Sequence, residues 1–215
     1  ADRPGRIAMT EWLILIDQAR DLAQGETPHK VMTAREYLAR PQLFNSRRPS
    51  IINLARSYRY QSTGYYASLL AEARGQRVLP TVQTMLALGR KTLYSSALPE
   101  LEQALNRGQR KSLGTDEPSL RFLVVFGRAE RPEFQSFAAL LFDWFRCPII
   151  EVTLKVNSWL SIERLHPLAI TRLEEKQKSF FFSMLERYTT RRWTSPRPRL
   201  PARWALGPWV WRDEN

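Results

Sequence analysis

The chain has 215 residues, 43% hydrophobic and 11% aromatic, which is the make-up of a globular domain and excludes a disordered or fibrous chain. Its 33 lysines and arginines outnumber 21 aspartates and glutamates for a net charge of +12, so the natural counterpart is an anionic ligand, an acidic partner surface or nucleic acid. No stretch reaches the ~18 uncharged apolar residues of a membrane span, and the first residues lack the apolar run of a secretory signal; a cytoplasmic protein with no membrane contact is expected.

Residues 1–8 are polar or small and read as an upstream extension or an expression remnant, with Met9-Thr10 as a native start. Residues 12–16 are a short apolar run closed by Asp17, the pattern of a buried strand. A second strand is expected over 29–33, leading into 34–39 and a turn at Pro41, and a third over 51–55. Polar and aromatic residues fill 56–63. Tyr66, Leu69, Leu70 and Ala73 then recur at helical spacing, with Ser62 or Thr63 as N-cap and Gly75 as a left-handed stop. Residues 76–80 return as a strand, 81–88 and 98–106 as helices, and 108–119 as a polar surface loop.

A continuous apolar strand is expected over 120–126, closed by Gly127. After Pro132, the residues Phe134, Phe137, Ala138, Leu141, Phe142 and Phe145 step by three and four along one face of an amphipathic core helix. Ile150, Val152, Leu154 and Val156 alternate with polar residues, and Asn157-Ser158 separates them from 159–165, which reads as a β-hairpin. Thr171 with Glu174 reads as a capping box opening a long last helix over 172–192. The order of elements gives the fold class: α/β, a Rossmann-like three-layer sheet with helices on its faces, plus a C-terminal β-hairpin and long helix. Beyond it, Ser195-Pro196-Arg197-Pro198-Arg199-Leu200-Pro201 favours an extended linker, followed by Trp204, Trp209 and Trp211.

The residues that could carry chemistry are few. The single cysteine, Cys147, excludes an intrachain disulfide and reads as a buried small hydrophobe. With only His29 and His166 besides, no His/Cys metal site is expected. Leu88-Gly89-Arg90-Lys91-Thr92 has a superficial likeness to a phosphate loop but lacks the upstream glycine and the preceding strand. The excess charge concentrates in two stretches: Arg35, Arg40, Arg47, Arg48, Arg56 and Arg59 against Glu36 alone, and Arg187, Arg191, Arg192, Arg197, Arg199 and Arg203 with no acid. No nucleic-acid recognition motif accompanies them, so a basic nucleic-acid-binding module stays an alternative.

The loop after the third strand is the candidate ligand site. In an open α/β sheet, ligands bind beyond the carboxyl ends of the strands, where helix N-termini offer free amides to anions. Arg56, Ser57, Tyr58, Arg59, Gln61, Ser62 and Thr63, with Tyr60 among them and Tyr65 and Tyr66 on the first helical turn, put guanidiniums, hydroxyls and aromatic surface there. Three readings stand together: contact with an anionic small molecule or peptide, an interdomain or subunit surface, or internal hydrogen bonding.

This same stretch, from Asn53-Leu54-Ala55-Arg56-Ser57-Tyr58-Arg59-Tyr60-Gln61-Ser62-Thr63-Gly64-Tyr65-Tyr66 to Ala73-Arg74-Gly75, resembles the signature of the RimK-like ATP-grasp N-terminal domain. The resemblance extends through Arg77-Val78-Leu79-Pro80-Thr81, Phe126-Gly127-Arg128, Cys147-Pro148 and Glu186-Arg187-Tyr188, then Arg191-Arg192-Trp193, covering residues 11–203. It implies the N-terminal part of an ATP-dependent carboxylate–amine ligase, with residues 9–193 as the domain and 194–215 as a linker or tail. It also implies that ATP and Mg²⁺ belong to a following ATP-grasp module, so that no catalytic residue, cofactor or metal is expected in these residues. The expected partner is that module or subunit. Near 203 the residues Trp204-Ala205-Leu206-Gly207-Pro208-Trp209-Val210-Trp211 stand where an apolar strand is implied, which leaves open a fragment, an altered frame or a stand-alone interaction protein.

Overall fold

The computed structural model describes residues 11–22, 26–40, 48–107 and 118–190. The expected start at Met9, most of the 108–119 loop and the Pro/Arg/Trp tail lie outside the described residues. The α/β class holds, and the strands divide between two four-stranded sheets.

The first sheet is parallel. β1 (Trp12–Ile16), β2 (Lys30–Thr33), β3 (Ser50–Asn53) and β4 (Val78–Leu79) run in the order β2-β1-β3-β4. All five residues of β1 are buried because both faces of the sheet are covered. Leu13, Leu15, Ile51 and Val78 face α1 (Ala34–Ala39) and α2 (Thr63–Ala73), meeting Tyr37, Ala67 and Ala71. Trp12, Ile14, Ile16, Ile52 and Leu79 face the other way, into the centre of the molecule. A capping box opens α1: Thr33 accepts from the Glu36 amide while the Glu36 carboxylate accepts from the Thr33 amide. Ser62 caps α2, and Gly75, at φ +67°, follows its C-cap in the left-handed conformation that its missing Cβ permits.

The second sheet is antiparallel: β5 (Ser119–Val125), β6 (Arg128–Ala129), β7 (Ile149–Val156) and β8 (Leu160–Pro167), in the order β6-β5-β7-β8. Phe126 and Gly127, at φ +46° and +76°, make the two-residue turn between β5 and β6 that demands positive φ at both positions. A phenylalanine there is strained, and its ring is held by stacking on Tyr188 at 4.8 Å and by Phe181 at 5.9 Å. One face of this sheet, with Phe122, Val124, Ile150, Val152 and Leu154, packs on α3 (Val82–Gly89), α4 (Lys91–Tyr94), α5 (Leu98–Asn106) and α6 (Gln135–Trp144). The other face gives Leu123, Val125 and Ile149 to the central layer.

That central layer joins the two sheets, and α7 (Glu175–Thr189) inserts Phe181, Met184 and Leu185 into it. Its N-terminus departs from the expected one. Residues Ile170–Arg172 form a single 3₁₀ turn, and the capping box is Glu174 with Gln177 instead of Thr171 with Glu174. The helix thus begins one turn later, because Ile170 and Leu173 are both drawn into the core ahead of it. At its far end the Thr189 carbonyl accepts from Trp12 Nε1 at 3.2 Å, and Thr189 Oγ1 faces His29 Nε2 at 2.8 Å.

β8 is an edge strand, and side chains cover its open backbone. Asn106 accepts from the Leu160 amide at 3.0 Å and donates to the Leu160 carbonyl at 2.9 Å; Glu102 accepts from the Ile162 amide at 2.8 Å. Lys91 Nζ donates to the carbonyls of Ile162 and Glu163 at 2.9 and 3.2 Å. Such pairing removes the free edge on which another chain could add a strand. No helix among the described residues is long and apolar enough to cross a membrane.

Candidate functional site

The 56–63 loop lies where the parallel sheet ends, between β3 and α2. Its base is Asn53, fully buried. Asn53 Nδ2 donates to the Gly64 carbonyl at 2.8 Å and to Ser68 Oγ at 2.9 Å, and its Oδ1 accepts from the Ala55 amide at 3.1 Å. The strand end is thereby tied to the first turn of α2. Gly64 makes this possible: a Cβ at that position would lie 2.4 Å from the Ser57 carbonyl oxygen and 2.5 Å from Ala55 Cβ.

Several of the polar residues expected to meet a ligand hold the loop itself. The Arg56 guanidinium forms a two-pronged pair with Asp21, whose side chain is 1% exposed, and also donates to Gln18 Oε1 at 3.2 Å. The Arg56 amide donates to Asp17 Oδ2 at 2.7 Å. The Asp21 contact, through its hydrogen bond, raises the Arg56 pKa above its ordinary value. Tyr58 turns inward, its hydroxyl donating to the Asn53 carbonyl at 2.6 Å and its ring packing against the core under the antiparallel sheet. Burial, reinforced by Cys147 and Asp17, pushes its phenol well above the usual range. Ser62 Oγ donates to the Ser57 carbonyl at 3.0 Å and accepts from the Tyr65 amide at 3.2 Å, while Ser57 Oγ accepts from the Arg59 amide at 3.3 Å.

The outward set is Arg59, Tyr60, Gln61, Thr63 and Tyr66, all exposed. Tyr60 is 67% exposed and rests edge-on against buried Tyr65 at 5.3 Å; Tyr65 meets Tyr66 at 5.6 Å. Gln61 is held at φ +65° on the tip of the turn. Along the same helix, Tyr66, Leu69, Leu70 and Ala73 line an apolar groove with Leu38. Asp17 was legible only as the residue that closes the first strand, and Asp21, five residues past that strand, carried no signal in the sequence.

The structure also disposes of the rival motifs. Cys147 is 1% exposed and burial raises its thiol to about 12, so it is a packed core residue and no nucleophile at neutral pH. Gly89 and Lys91 sit at the junction of α3 and α4, and the Lys91 ammonium is committed to β8 carbonyls. Among the described residues no group of three or more His, Cys, Asp or Glu could hold a metal ion.

The model of the RimK-like ATPgrasp N-terminal domain matches residues 34–184, which run from the start of α1 into α7 and include the whole loop. The chain belongs to that family. No curated protein matches it. The RimK-like domain is the N-terminal part of RimK-like ATP-grasp proteins.

Proposed function

We propose that this RimK-like domain is a non-catalytic accessory domain of a cytoplasmic ATP-grasp carboxylate–amine ligase, and that it contacts substrate or the ATP-grasp module through the outward side chains of the 56–66 loop. The family match over residues 34–184 carries the reading. In it, residues 9–193 are the domain and 194–215 the linker towards the module, which supplies ATP, Mg²⁺ and the catalytic groups. The internal bonds of Arg56, Ser57, Tyr58 and Ser62 support a fixed loop, and a fixed loop presents Tyr60, Gln61, Thr63 and Tyr66 at low entropic cost. Exposed tyrosines of this kind are frequent energetic centres of protein interfaces.

The test pairs the full chain with the ATP-grasp module of a RimK-like ligase and follows ADP release and association by sedimentation. The chain alone releases no ADP above background, and the double substitution Tyr60→Ser, Tyr66→Ser weakens association about tenfold, equivalent to ~1.4 kcal/mol, at an unchanged melting temperature. ATP turnover by the chain alone refutes the accessory reading, and association untouched by the double substitution refutes contact with the module through this loop.

A further inference from the structure

β8 breaks the alternation of a simple hairpin strand. Leu154 pairs with Ile162 but Thr153 pairs with Arg164, so Glu163 is the extra residue of a β-bulge. The bulge has a consequence for direction. Leu160, Ile162 and Leu165 all reach the core, whereas Arg164 and His166 stand on the opposite face, beside Thr153 and Glu151 of β7. Lys91 holds the bulge by binding the carbonyls of Ile162 and Glu163, so the positions of Arg164 and His166 are fixed by the fold.

Two further segments bring cations to this face. β8 ends at Pro167, beside the start of β7, and the chain turns at once through Ile170–Arg172, placing Arg172 nearby. From the first sheet, Tyr58 packs against the core that contains Cys147, two residues before β7, and Arg59, next in the chain, is close enough to act on His166. Arg164 NH2 lies 3.3 Å from His166 Nδ1. Burial lowers the His166 pKa, and Arg164, Arg172 and Arg59 lower it further against the opposing influence of Glu151. From β5 the residue paired with Glu151 is apolar Leu123, and Arg121 pairs with Thr153 one step on. Arg59, Arg164 and Arg172 are exposed, and among the described residues none of them forms an ion pair.

We infer that Arg59, Arg164, His166 and Arg172 form a binding site for the phosphate monoester group of a small molecule, where the second face of the antiparallel sheet stays exposed beyond the central layer. Three guanidiniums against the Glu151 carboxylate, with Arg121 one step along the same face, leave at least two positive charges. That complements a phosphate monoester, at about −1.5 to −2 at pH 7, better than a carboxylate or one phosphodiester, each of single charge. Guanidiniums also match phosphate oxygens in paired hydrogen bonds. The site stands whether or not the ligase reading holds.

The sequence has two histidines, so imidazole NMR of the full chain reads the site directly, with His29 as internal control. Inorganic phosphate is titrated at constant ionic strength. It is expected to raise the His166 pKa by about half a unit or more, since an anion favours the imidazolium, and to leave His29 in place. Arg164→Gln and Arg172→Gln, made separately and each checked for fold by the His29 signal, both lose the shift. A His166 unmoved by phosphate, or both histidines moving together, overturns the site. An equal response to acetate overturns the phosphate assignment. A single-stranded RNA that moves His166 at lower phosphate concentration than the free ion overturns it in favour of a nucleic acid.

Discussion

Replacing Gly64 by alanine probes the junction on which the loop depends. The new Cβ would meet the Ser57 carbonyl oxygen at 2.4 Å and Ala55 Cβ at 2.5 Å, and neither is the far end of a flexible side chain. Relief therefore requires the 55–58 backbone to withdraw from α2, against the Asn53–Gly64 bond and the Ser62–Ser57 bond. Overpacking of this kind costs about 1–3 kcal/mol, and two contacts on backbone or Cβ put this case at the upper end. Alanine returns up to ~1 kcal/mol of helix propensity, which leaves a net loss of about 2 kcal/mol. For a chain of this size that is a fall in melting temperature of about 4–8 °C. Gly89→Ala is the matched control: it ends α3, and a Cβ there meets nothing within 4 Å. That variant is expected to gain about 0.5–1 kcal/mol. Both are measured by urea unfolding and thermal denaturation. If Gly64→Ala is as stable as the parent, or if the two variants shift the same way, the close approach of loop and helix is wrong.

Burial of Cys147 predicts that a disulfide reagent such as dithionitrobenzoate modifies the native chain very slowly and the unfolded chain at once, with the native rate tracking global unfolding; a fast native reaction refutes it. Both histidines are held below their ordinary value of 6.5, His29 by burial and His166 by burial and its arginine neighbours. The unfolded chain therefore takes up protons at a pH where the folded chain does not. Stability contributed by this difference is fully present above pH 6.5, declines as the pH falls below it, and levels off below the folded-state values. Urea midpoints between pH 5 and 8 should show the decline, and His29→Gln together with His166→Gln should flatten it; an unchanged slope counts against both assignments.

Most helices were legible because their signals are local. Ser62 and Thr81 accept from amides three residues on, Gly75 takes positive φ, and the fifth helix has the bounds its spacing predicts. The division into two sheets was not. Phe122, Leu123, Val124 and Val125 are all buried because helices cover one face of the antiparallel sheet and the central layer covers the other. A strand buried on both faces reads as a continuous apolar run in either kind of sheet, so the pattern that suited one Rossmann-like sheet suited this arrangement equally. The start of α7 was misplaced for a related reason: Thr171 and Glu174 have capping-box spacing, but burial of Ile170 and Leu173 decides where the helix begins.

Charge was harder to read than fold, because the meaning of an arginine depends on its partners across the molecule. Arg56 and Arg59 are three residues apart in one loop, yet Arg56 closes on Asp21 from the β1 side while Arg59 faces the far sheet. Counting charge along the chain selects the stretches 35–59 and 187–203. The cluster that folding assembles takes Arg59 from the first, and Arg164 and Arg172 from a region with no local excess of arginine. What turns Arg164 and His166 to that face is a bulge of one residue in an edge strand, set by the burial of Leu165 one position beyond the alternation of Leu160 and Ile162. A basic surface built from separate segments this way is fixed by packing, and it is lost on unfolding, as a solvated run of arginines would not be.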